Sequence, residues 1–134
     1  MLKLALFSTF LGAFALSSHP VAAQERTQIL ALKNGESVDL FPVYFVSNCR
    51  SIMVGLPTIE VLQGPPELTF TIRESMVQPR GPINCSAKVP GGIVVANVKD
   101  VTAAKEGKVT FRLKYDTKDG PRQSARVYNV SLFP

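Results

Sequence analysis

The chain has one histidine and no tryptophan among its 134 residues. The histidine, His19, stands near the amino terminus, ahead of a stretch of small residues. Histidine is the commonest general base and the partner of nucleophilic serine and cysteine. If the segment bearing His19 is removed, those mechanisms fall away, and so do zinc sites built from histidine and cysteine. The two cysteines, Cys49 and Cys85, are not spaced as Cys-x-x-Cys, so a thioredoxin-like redox pair is not expected. No Gly-x-x-x-x-Gly-Lys, Gly-x-Gly-x-x-Gly or calcium-loop pattern occurs. No catalytic residue, metal ligand set or cofactor site is therefore expected. Met53 and Met76 are two thioethers, a thin ligand set for copper, and read as packing residues. Glu60, Glu67, Glu74, Asp100 and Asp116 show no spacing that pairs two carboxylates for glycosidase-like work.

No apolar run is long enough to span a membrane, which takes about 20 residues. The longest, from Leu4 to Leu16, follows a single charge, Lys3, and ends at Ser17-Ser18-His19-Pro20. Val21-Ala22-Ala23 then supplies small side chains. A basic start, a short apolar run and a small-residue exit make an export signal, with cleavage expected after Ala23. No cysteine near that position marks a lipid-modified form. Residues 1–23 are read as signal peptide and residues 24–134 as one mature domain. The mature product is expected to be soluble, in a periplasm or outside the cell.

An oxidising compartment gives the cysteine pair its meaning: Cys49 and Cys85 are expected to form one disulfide. Closing that loop restricts the unfolded chain, worth roughly 4 kcal/mol at most.

Ten prolines and nine glycines in so short a chain imply many turns. After Ala23 no segment holds a helical stripe. Short β-branched or alternating runs are expected as strands over Gln28–Leu32, Ser37–Val46, Thr58–Leu62, Leu68–Arg73, Ile93–Val98, Lys108–Tyr115 and Arg126–Leu132. Turn residues separate them at Asn34-Gly35, Gly55-Leu56-Pro57, Gly64-Pro65-Pro66, Gln78–Pro82, Pro90-Gly91-Gly92 and Asp119-Gly120-Pro121. Pro42 predicts a bulge, a break or an edge position inside its run. Val109, Phe111, Leu113 and Tyr115 alternate with Thr110, Arg112 and Lys114, a half-buried strand with a charged outer face. Tyr128, Val130 and Leu132 repeat the pattern after an Asp-Gly turn, which predicts a closing hairpin.

About seven strands in this length predict an all-β, two-sheet sandwich, with a closed barrel as the alternative. The Cys49…Cys85 pair, the Gly64-Pro65-Pro66 and Pro90-Gly91-Gly92 turns and the hairpin from Lys108 to Pro134 resemble the small periplasmic immunoglobulin-like proteins of bacteria. The resemblance implies an immunoglobulin-like sandwich with one disulfide. The core tryptophan of antibody-type domains is missing.

Charge is unevenly placed. Residues 24–98 hold equal numbers of acids and bases, whereas residues 99–134 hold eight Lys and Arg against four Asp and Glu. Arg112, Lys114, Lys118, Arg122 and Arg126 fall on or around the closing hairpin, a candidate patch for anionic glycan or lipid headgroups. The same residues also serve to guard an edge strand. Nucleic acid is not an expected partner, for want of aromatics free to stack on bases. The expected role is a non-catalytic module that binds a protein or glycan of the cell envelope. An inhibitor of a protease or lysozyme, presenting Gln78-Pro79-Arg80-Gly81-Pro82, is the alternative. An enzyme of unread type is the least favoured.

Overall fold

The computed structural model describes residues 28–81 and 84–134. The signal peptide, its cleavage position Ala23 and His19 lie outside the described residues, as does Pro82 of the proline-rich loop.

Nine strands follow one another without a helix among the described residues: β1 (Gln28–Lys33), β2 (Ser37–Val43), β3 (Val46–Ser47), β4 (Arg50–Ser51), β5 (Thr58–Gln63), β6 (Leu68–Val77), β7 (Val89–Val98), β8 (Lys105–Thr117) and β9 (Gly120–Phe133). They form a four-stranded sheet in the order β1-β9-β8-β5, a three-stranded sheet in the order β2-β7-β6, and a two-stranded ribbon β3-β4. The two main sheets face each other as a sandwich, not a barrel. Every pairing is antiparallel except β1 with β9, which run parallel from Gln28 opposite Tyr128 to Lys33 opposite Phe133.

The period-two pattern places the core. In β8, Val109, Phe111, Leu113, Tyr115 and Thr117 are buried, while Lys114 and Asp116 are exposed and Thr110 and Arg112 half-buried. In β9, Tyr128, Val130 and Leu132 point the same way. Leu68, Val94, Ala96 and Val98 meet them from the opposite sheet. Phe111 is fully buried at the centre, with its ring 4.5 Å from Phe70, 5.9 Å from Tyr128 and 6.3 Å from Phe41. Burying a side chain of that size contributes about 1.5–3 kcal/mol by transfer alone.

Six of the seven expected strands are present at their expected length or longer, whereas Ser37–Val46 is corrected: β2 stops at Val43, and Val46 belongs to the separate ribbon strand β3. Pro42 sits in β2, an edge strand, next to a register shift between Asp39 and Phe41 that leaves Leu40 as the extra residue. A second shift, between Val61 and Gln63, bulges β5 at Leu62.

One expected turn is corrected. Pro90-Gly91-Gly92 lies inside β7, paired with Met76, Ser75 and Glu74 of β6. Pro90 is tolerated because β2 ends at the pair Val43–Gly92, so no neighbour on that side needs its missing N–H. The glycines are there for close approach. A Cβ on Gly91 would meet the Val43 carbonyl oxygen and come within 2.7 Å of Val77 Cγ2; one on Gly92 would lie 2.6 Å from Ile72 Cγ2.

Candidate functional site

The closing hairpin turns at Thr117-Lys118-Asp119-Gly120. Thr117 pairs with Gly120, whose φ of 100° is open to glycine, and the Thr117 hydroxyl donates to the Gly120 carbonyl at 2.6 Å. That turn fixes the register of β8 on β9 and hence the position of every basic residue on the ribbon.

The five candidate cations do not form one surface. Arg112 and Lys114 lie on the outer face and converge on a single carboxylate, Glu60 of the neighbouring β5. Arg112 donates from Nε and Nη2 to both Glu60 oxygens at 2.9 Å, and Lys114 Nζ lies 2.6 Å from Oε2. The hydrogen bonds from Lys114 and then Arg112 hold the Glu60 carboxyl below the usual carboxylate range, against a small opposing effect of burial. Two cations around one anion leave a single positive charge there. Lys118 occupies the exposed turn. Arg122 and Arg126 stand opposite Tyr115 and Phe111 in the register, so they share the inward parity of the buried residues. Arg126 stacks its guanidinium over the Phe41 ring at 4.8 Å from the centroid, a cation–π contact at the side of the sandwich. Desolvation raises the Tyr115 and Tyr128 hydroxyls above the ordinary tyrosine value, opposed less strongly by a hydrogen bond with Ser124 at Tyr115 and by the Arg126 charge at both. Counting back by twos from Tyr128 would have placed Arg126 on the inward face. The partnership with Glu60 depends on which strand lies beside β8, for which the sequence holds no local signal.

The second candidate region surrounds the disulfide. Cys49 and Cys85 are bonded, with Cα atoms 5.4 Å apart. Cys49 sits in the turn of the β3–β4 ribbon, which the strand expectations missed. Asn48 and Cys49 both take positive φ, 50° and 59°, the backbone of a type I′ turn. The bridge joins this turn to the loop between β6 and β7 and not one main sheet to the other.

That loop is tied down at two further points. The Tyr44 hydroxyl donates to the Arg80 carbonyl at 2.7 Å and accepts from the Arg80 N–H at 2.9 Å. Gln78 Nε2 donates to the Cys85 carbonyl. The Arg80 side chain is left exposed. Because Tyr44 occupies both backbone groups of Arg80, a protease cannot pair with that residue as it would with a substrate strand unless Tyr44 is displaced.

Between the ribbon and β7 lies an open cleft of about 370 Å³ lined by Ser51, Met53, Gly55, Leu56, Glu74, Pro90 and Gly91. Met53 packs against the core as expected, but the packing role expected of Met76 is corrected: its side chain stands exposed on β6. Among the described residues no three His, Cys, Asp or Glu groups gather where they would hold a metal ion, and no helix is long and apolar enough to cross a membrane. No family model, curated protein or solved structure matches the chain.

Proposed function

We propose that this protein is an exported, soluble and non-catalytic β-sandwich module, immunoglobulin-like in strand order, that binds a protein or glycan partner in the cell envelope. The observation that carries this role is the Cys49–Cys85 bridge, a covalent tie suited to an oxidising compartment. Supporting it are the leader-like residues 1–23 and the two sheets β1-β9-β8-β5 and β2-β7-β6, an order compatible with an immunoglobulin-like sandwich. The contact region is the tip of the β8–β9 hairpin, where Lys118 stands exposed in the turn between Lys114 on one face of the ribbon and Arg122 on the other, and where an anionic glycan or lipid headgroup would be met. Cell fractionation combined with capture from envelope extracts tests the role. The expected result is a processed protein beginning at Gln24, outside the cytosol, retaining one envelope component. Reversing Lys114, Lys118 and Arg122 to Glu should abolish retention by anionic vesicles or acidic polysaccharide. A reduced, full-length protein confined to the cytosol would end the proposal.

Inhibition of a secreted protease or lysozyme is the alternative role. It draws on the exposed Arg80 side chain of the tethered Gln78–Gly81 segment; since Tyr44 holds both backbone groups of Arg80, the contact would be through that side chain and not through strand-like pairing. Its mark would be tight capture of one hydrolase, lost on Arg80→Ala.

A further inference from the structure

A sandwich of two open sheets has four edge strands, and an unguarded edge is a template for another chain. Three of the four edges here are short or interrupted. β2 carries Pro42 and the Leu40 bulge. β5 has six residues and the Leu62 bulge. β1 has six residues and ends in Lys33, and the stretch of β9 that it leaves uncovered, Gly120–Val127, carries Pro121, Arg122 and Arg126.

β6 differs. It runs for ten residues in unbroken register with β7, with no proline and no bulge. Among the described residues its other edge has no partner. It holds two charges, and the Arg73 guanidinium is drawn back across the sheet onto Asp39 by hydrogen bonds of 3.0 and 2.8 Å. β5 and β6 follow each other through the Gly64-Pro65-Pro66 turn and form the two lips of one side of the sandwich. Apolar side chains stand open near that side: Leu56 at 40%, Val61 at 46%, Leu62 at 52% and Met76 at 55% exposure.

We propose that β6 pairs antiparallel with β6 of a second copy of this chain, joining the two three-stranded sheets into one of six. The residues of the strand restrict the register. In a two-fold antiparallel pair, the residue at the centre faces itself. A centre at Arg73 or Glu74 would set like charges directly opposite, which is unfavourable. A centre at Thr71 would place Met76 against Pro66, outside the strand. A centre at Ile72 sets Leu68 opposite Met76, Thr69 opposite Ser75, Phe70 opposite Glu74 and Thr71 opposite Arg73, and leaves only Val77 without a partner in β6. No like charges then meet. The excess of bases lies in residues 99–134, on β8 and β9 for the most part, so the copies meet through strands that add little net charge.

The inference goes beyond envelope binding and does not depend on it. Sedimentation equilibrium on protein expressed from the whole chain, between about 1 μM and about 1 mM, tests it. The expected result is a shift from one to two chain masses. Thr71→Lys and Met76→Lys, each checked for native circular dichroism, should weaken the association by about tenfold or more. Leu62→Lys, on the other lip, should weaken it as well. Ile29→Lys, on the exposed face of β1, should leave it unchanged. A single chain mass across the whole range overturns the proposal. So does a dimer that ignores the β6 substitutions or is lost on Ile29→Lys.

Discussion

In the β8–β9 ribbon, strands of 13 and 14 residues stay in register from Lys105–Leu132 to the turn, whereas β3 and β4 have two residues each. The long ribbon turns with Gly120 at its positive-φ position; the short one turns through Asn48 and Cys49, both with side chains. One inward face is filled by Val109, Phe111, Leu113, Tyr115, Tyr128, Val130 and Leu132. The other ribbon has little of its own to bury and is fastened by a covalent bond to a distant loop. Packing is enough where the strands are long. Where they are not, the chain accepts a left-handed cysteine, at about 1–2 kcal/mol, and holds it with a disulfide.

The comparison is broken most severely at Phe111. Phe111→Ala should lower unfolding free energy by about 3–5 kcal/mol, since the cavity opens between Phe41, Phe70 and Tyr128. Denaturant titration measures this, and a loss below about 1 kcal/mol would mean that the ribbon does not rest on its core. Removing the bridge as Cys49→Ala with Cys85→Ala should cost about 2–4 kcal/mol. Replacing Cys49 by Gly instead, with Cys85→Ala, should recover about 1 kcal/mol, because glycine accepts the turn's positive φ without penalty. Equal stability of the two double variants would show that the turn relaxes once released.

The smallest effect is on the outer faces. Glu60, Asp39 and Glu67 are each held below the usual carboxylate range, chiefly by hydrogen bonds from Lys114, Arg73 and Lys105 respectively. A carboxyl depressed on folding stabilises above its ordinary value, and that stability is lost as pH falls through the folded one. The thermal midpoint should therefore be level near neutrality and decline below about pH 4.5. Glu60→Gln should flatten part of that decline. Tyr115 and Tyr128 act in the opposite sense. Both are raised by burial, so their contribution is complete below about pH 10 and is lost as pH rises beyond it.

Wherever hydrophobic alternation was strong, the strands were legible. Val109 to Tyr115 and Tyr128 to Leu132 located both faces of the final hairpin, and an even cysteine count read together with the export signal led to the bridge. The polar ends of the same strands, Lys105–Gly107 and Gly120–Ala125, have no alternation to mark them and are held by pairing. Asn48-Cys49 escaped because type I′ turns are recognised by Asn-Gly, and cysteine at the second place carries no such signal. Pro90-Gly91-Gly92 misled because the residues that usually end a strand here admit one, at a point where β2 has stopped and Val43, Val77 and Ile72 leave no room for a side chain. The basic residues were identifiable by type, but their grouping was not. Parity separates Arg126 from Arg112, and a neighbouring strand supplies Glu60.

The strand β9 lies between β1 and β8, yet among the strands it is the last to be synthesised. A nascent polypeptide that has reached residue 119 has β1 at one margin and β8 at the other, with a gap where Tyr128, Val130 and Leu132 belong. Parallel pairing of β1 must wait until β9 has been made. Until then the four-stranded sheet lacks its inner member, and β1 has nothing to join it to β8 and β5.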